Sequence, residues 1–299
     1  MTPSALPLKS GLNFLIAAKR CEIDALRQLA LTSALVNVTG RLVHGLQRER
    51  GLSNLFLGSQ GTRFAEPRQQ QIAECRATEA ELRCCFDSLD TQAAHLGHGA
   101  RLFSRIAYVL HGLDALPALR ERIDTQAWTA RETTEAYVRL IAGLIAVVFE
   151  AADSASDPAI SRHLVALFNF MQGKEFAGQE RAAGSALYAS GRADSAGQQR
   201  LLHLIDSQER CLQVFKEFAS DELATLWATA DQDTVAARAE LERMRRVLCT
   251  AADGSPIDVN QSQPWFDCCS LRMDRMKTVE DRLADSLQRL CEHKTQAAL

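Results

Sequence analysis

The chain has 299 residues, of which 46% are hydrophobic, enough to bury a substantial core. Aromatics at 6%, only 7 prolines and the lack of long alternating Val/Ile/Thr runs argue against strands and leave room for long helices, so the fold class is all-α. A net charge of -3 with basic and acidic residues interspersed gives no footprint for direct nucleic-acid binding.

Periodicity and turn signals predict helices at residues 10–28, 31–59, 64–93, 100–123, 128–153, 158–190, 195–219, 232–251 and 263–293. Gly58, Gly61 and Pro67 bracket the break after the second, and Gly97 and Gly99 end the third. Asp157 and Pro158 open the sixth as N-cap and first helical residue, and Asp253 to Pro264 form the clearest loop. Helices of this length can serve as pillars shared by two stacked four-helix bundles. The domain reading is an N-terminal helical segment at 1–35, a sensor-like domain at 36–293 and a tail at 294–299, with no output module in these residues.

The longest apolar run, Leu140 to Phe149, is too short to span a bilayer, and Leu12 to Ala18 continues into polar helix without a convincing cleavage site. A cytoplasmic location without membrane association is expected. Nine cysteines without a Cys-x-x-Cys pair fit reduced thiols. No histidine follows a glutamate by three residues, His95 and His98 have no matching pair, and no phosphate loop, dinucleotide fingerprint or nucleophile elbow occurs. Neither a metal, a cofactor nor an enzymatic activity is expected.

Three arginines interrupt apolar helix faces. Arg50 follows Val36, Thr39, Val43 and Leu46; Arg181 follows Leu164, Leu167, Met171, Lys174 and Gly178; Arg272 lies between Trp265, Cys268 and Met276. Burying a lone cation costs several kcal/mol or more, so snorkelling, nearby Glu49, Glu175, Glu180 and Glu280, or a bound anion must compensate. Gly51, Gly173, Gly178 and Gly184 sit in the same helices, each at about 1 kcal/mol relative to alanine, and mark close helix approach or backbone against a small ligand.

Leu42 to Ser53, which includes His44, Gln47, Glu49, Arg50 and Gly51, followed by Phe56-Leu57-Gly58-Ser59, resembles the opening motif of the NIT domain family, the bacterial nitrate- and nitrite-sensing domain. Lys174-Glu175-Phe176-Ala177-Gly178-Gln179-Glu180-Arg181-Ala182 resembles its central signature, and Trp265, Ser270, Arg272, Met273, Asp274, Met276, Val279 and Glu280 its closing pattern. The resemblance spans about residues 40–290 in the family's order. It implies an all-helical sensor that binds nitrate or nitrite between long helices and signals to an output module, fused or in a partner regulatory protein.

Guanidinium offers a planar fork of donors suited to a planar monoanion. On that ground Arg50 and Arg272 are expected to clamp the anion, Arg181 to add its field, and Ser53 or Gln47 to donate a further hydrogen bond. Glu49 and Glu180 are expected to orient the arginines, with Gly51, Lys174, Glu175, Gly178 and Trp265 in support. Helix rearrangement would carry the signal, and a homodimer is compatible with the exposed remainder of the helices. The competing expectation is a helical scaffold that binds no ligand.

Overall fold

A computed structural model describes residues 11–90, 100–153, 157–232 and 235–298. Among these the chain is helical, with no strand beyond an isolated bridge between Arg192 and Pro256. The helices are α1 (Gly11–Gly58), α2 (Ala65–Asp90), α3 (Ala100–Asp114), α4 (Leu116–Asp124), α5 (Ala130–Asp153), α6 (Pro158–Ser190), α7 (Ser195–Phe218), α8 (Asp221–Gln232), α9 (Val235–Thr250) and α10 (Ser262–Ala298).

Differences from the sequence reading have local causes. The two helices expected at 10–28 and 31–59 are one, because no glycine or proline stands between Lys19 and Thr39 to break the hydrogen-bond ladder. At 1.5 Å per residue α1 extends about 72 Å. The helix expected at 100–123 divides at Ala115, since Pro117 lacks the N–H needed to continue it. The helix α8 fills a stretch left as a connection; its Leu223 and Trp227, one turn apart, are both buried. Trp227 meets Phe170 edge-on at 5.5 Å between centroids, and Phe170 meets Phe215 at 4.8 Å.

The expected start of α6 holds: the Asp157 side chain accepts from the N–H groups of Ala159 and Ile160 at 2.9 and 3.2 Å, with Pro158 following. Gly191 ends that helix in the left-handed region at φ 67°.

The long helices α1, α6 and α10 organise the rest. Helices α2 and α5 pack on α1, α3 packs on α5, α7 and α10 pack on α6, and α8 and α9 pack on α10. One large core takes Leu42, Leu46, Ile141, Leu144, Phe170, Met276 and Leu283 among others. A smaller one between α6, α7, α9 and α10 is built from Tyr188, Leu201, Met244, Leu248 and Trp265. All nine cysteines are free, and no described helix is long and apolar enough to cross a membrane.

The seam of α6 with α10 depends on a glycine. Trp265 is fully buried and donates from Nε1 to the carbonyl of Arg181 at 3.0 Å. A Cβ at Gly184 would stand 2.2 Å from its ring. Gly184→Ala is therefore expected to push the indole off that carbonyl and lower stability by about 2–4 kcal/mol. Denaturant unfolding reads this directly, and an unchanged midpoint would show that the seam relaxes freely.

Candidate functional site

Gln47 and Arg50, three apart on α1, face Glu175 and Gln179, four apart on α6. Arg50 donates from Nη1 to Glu175 Oε1 at 2.5 Å and from Nη2 to Oε2 at 3.3 Å, both side chains being buried. Gln47 Nε2 and Gln179 Nε2 donate to the same carboxylate at 2.9 and 3.0 Å. A carboxylate with this many donors is a stable buried anion.

Arg181 adds a second cation by a reciprocal arrangement with the glycines. Arg50 Nη2 lies 2.7 Å from where a Cβ of Gly178 would be, and Arg181 Nη2 lies 3.2 Å from the corresponding point at Gly51. Each helix thus places its arginine tip over the other helix's glycine, so a side chain at either position would press on the guanidinium. Arg181 donates from Nη1 to Ser270 Oγ at 2.9 Å and lies over the Phe266 ring at 4.7 Å. Among the described residues no carboxylate stands within ion-pair distance of it. Its pKa is lowered, first by burial and then by the charge of Arg50 beside it.

The other expected site residues divide between flanking networks. Successive helical residues point about 100° apart, so Glu49 turns away from Arg50. It accepts from Arg120 Nε and Nη2 of α4 at 2.8 and 2.9 Å and from the Tyr137 hydroxyl of α5 at 2.6 Å. Burial and then the Glu49 charge hold the Tyr137 phenol well above its usual range. Ser53 lies on this side as well, accepting from Arg68 Nε at 3.1 Å, while Arg68 also pairs with Asp124.

Glu180 accepts from Arg245 Nε and Nη2 of α9 at 2.6 and 2.7 Å and from Gln208 Nε2 of α7 at 2.7 Å. Arg272 donates to Gln208 Oε1 and stands 3.8 Å from Glu180, on the α7 side of α10. Lys174 forms a buried ion pair with Glu280 at 2.5 Å. Burial and then the Lys174 charge depress the pKa of nearby His44 to about 3, keeping it neutral.

The structure therefore joins Arg50, Arg181, Gln47, Glu175, Gly51 and Gly178, and places Ser53, Glu49, Glu180 and Arg272 in adjoining networks. Glu49 orients Arg120 rather than Arg50, and Glu180 holds Arg245 most closely. Sequence reasoning did not find Arg120, Tyr137, Arg68, Arg245 or Gln208, whose partners lie on distant helices. Ser270 was visible only as part of the closing pattern. No group of three or more His, Cys, Asp or Glu side chains among the described residues could hold a metal, and His95 and His98 lie outside them.

The family model for nitrate and nitrite sensing, NIT, matches residues 41–288. The chain belongs to the NIT family. Every polar contact among α1, α6 and α10 described above falls inside that NIT span. The chain is 35% identical over 271 residues to the nitrate regulatory protein of Klebsiella oxytoca, covering 89% of this chain and 65% of that protein. It thus spans just under two thirds of that relative's length. Among solved structures it is similar to the NasR transcription antiterminator, with a TM-score of 0.83 and 32% identity over 94% of this chain and 74% of that one. The all-helical class of the NIT reading holds in both the helix inventory and this likeness.

Proposed function

We propose that this chain is a nitrate- and nitrite-binding sensor unit whose ligand sits between α1 and α6, against Arg50 and Arg181, with α10 closing over it. The observation that carries this reading is a second guanidinium, Arg181, set beside Arg50 with no carboxylate of its own within ion-pair distance among the described residues, Glu175 being bonded to Arg50. That leaves one positive charge in a largely water-excluded seam, which a planar monoanion neutralises through N–H donors. Ser270, already bonded to Arg181, supplies a further polar group from α10. Arg272, next to Met273, which packs against the Gly178 position, borders the site from the adjoining edge of α10, where Gln208 and Glu180 meet its charge.

Ligand binding relieves the repulsion between Arg50 and Arg181 and favours the state in which α1, α6 and α10 are drawn together, to the extent that the two states differ in affinity. The displacement passes along these helices to a fused module or a partner regulatory protein. Helices α1 and α6, each of which packs on several others, give that movement a path through the fold.

Calorimetric titration with nitrate, nitrite and chloride tests the site. The expected result is saturable binding of nitrate or nitrite near micromolar Kd, about -8 kcal/mol, weakened at least about 100-fold in Arg50→Ala. Absence of heat and of thermal stabilisation at millimolar nitrate and nitrite would overturn the reading.

A further inference from the structure

The ligand site as read above contains its own anion. Glu175 stays in contact with Arg50 Nη1 at 2.5 Å, and Gln47 and Gln179 hold its two oxygens from α1 and α6. Neither glutamine carries charge, so they fix the carboxylate in place without neutralising it. The charges that meet in the seam are Arg50, paired with Glu175, and Arg181 beside Arg50, a net of one positive charge. Other charges nearby are committed elsewhere. Lys174 is paired with Glu280, Arg245 and Arg272 are matched by Glu180 and Glu242, and Asp274 acts on Arg181 from the exposed face of α10, where water screens it.

Resting on the proposed nitrate and nitrite reading, we propose that Glu175 is the specificity-determining residue for ligand charge: it leaves the α1–α6 site with one uncompensated positive charge, so that monovalent anions are accepted and divalent anions are refused. A monoanion brings the seam to neutrality. A dianion would leave one negative charge buried without a partner, the arrangement that protein interiors penalise most. Selection then comes from repulsion by a built-in carboxylate rather than from extra contacts to the favoured ligand. Shape plays the smaller part, because the flanking glycines and the Met273 methyl form a yielding wall.

Perchlorate and sulfate share a tetrahedral shape and differ in charge, which makes them the probes. Binding of nitrate, perchlorate and sulfate is measured by calorimetry on the full chain, on Glu175→Gln and on Ser270→Asp. The wild type is expected to bind nitrate and perchlorate and to refuse sulfate. Glu175→Gln, close to isosteric, is expected to gain sulfate affinity by at least about tenfold. Ser270→Asp places a new carboxylate beside Arg181, brings the net to zero and is expected to weaken nitrate at least about tenfold, with recovery in the Glu175→Gln/Ser270→Asp double variant.

Sulfate still refused by folded Glu175→Gln, or perchlorate refused by the wild type as firmly as sulfate, overturns the proposal while leaving nitrate sensing intact. Should Glu175→Gln fail to fold, Ser270→Asp alone decides: unchanged nitrate affinity rejects the charge rule. Failure of the wild type to bind nitrate or nitrite at all rejects the underlying reading instead.

Discussion

Arg181→Met is expected to abolish the response to nitrate and, at the same time, to raise the stability of the unliganded chain. In the absence of ligand Arg181 has a serine hydroxyl and an aromatic face for partners, and Arg50 stands beside it. Methionine keeps most of the apolar stem and gives up the guanidinium, so the repulsion and much of the desolvation penalty go with it. A gain of about 1 kcal/mol without ligand is expected, with nitrate affinity at least about 100-fold weaker, equivalent to about 2.7 kcal/mol. Denaturant unfolding with and without nitrate measures both halves. A variant that is less stable and still binds would make Arg181 a structural residue. One that is less stable and does not bind would show that its contacts to Ser270 and Phe266 outweigh its burial.

The opposed signs matter because they separate a ligand-binding cation from a packing one. Glu49 with Arg120 and Lys174 with Glu280 are matched pairs whose disruption should only destabilise. Arg181 differs in having no carboxylate within ion-pair distance among the described residues, which is why the proposed site sets the anion against it. In the proposed mechanism the same feature would supply the differential affinity that a ligand-driven shift requires.

How far the sequence was legible depended on whether the signal was local. The start of α6 at Asp157 and Pro158 and its end at Gly191 follow from backbone chemistry that any reader of the chain can apply. The interruption of three apolar faces by Arg50, Arg181 and Arg272 likewise announced polar groups inside a helical core. What could not be read was pairing. Glu49 and Arg50 are adjacent in sequence, yet one helical step sends them to opposite networks, Glu49 to Arg120 and Tyr137, and Arg50 to Glu175. Arg120 sits 71 residues from its carboxylate and follows Leu119 on a short helix where a cation reads as surface. The glycine contacts were foreseeable only as close approach. That Gly51 and Gly178 each receive the other helix's arginine emerges from the packing of α1 on α6. The motif from His44 to Ser53 thus holds two faces of one helical stretch: Gln47 and Arg50 toward α6, Glu49 and Ser53 toward α2, α4 and α5. A shift of α1 against α6 would load the Glu49–Arg120 pair directly, which gives the proposed signal a first physical step.

Removing the carboxylate of Glu180 is expected to be the most damaging single change to the fold. Glu180 is buried at the junction of α6, α7, α9 and α10, where it takes both ends of the Arg245 fork and the Gln208 amide and faces Arg272 at 3.8 Å. Glu180→Ala leaves the buried Arg245 guanidinium with only the half-exposed Glu242 as counter-ion, at a cost of about 3–5 kcal/mol, a large share of the 5–15 kcal/mol that ordinarily holds a domain. Glu180→Gln keeps the shape and one acceptor and should cost about 1.5–3 kcal/mol. The pH dependence has a definite sign. Burial pushes the Glu180 carboxyl up, but Arg245 more than offsets it, so the folded-state pKa lies below the usual carboxylate value. A group depressed in this way stabilises fully above the unfolded pKa of about 4.3 and loses that contribution as pH falls through the lower folded value. The stability difference between wild type and Glu180→Gln should therefore be flat from pH 7 to about 5 and narrow progressively below about 4.3. A difference that stays constant down to the acid transition would mean that Glu180 acts by shape rather than by charge.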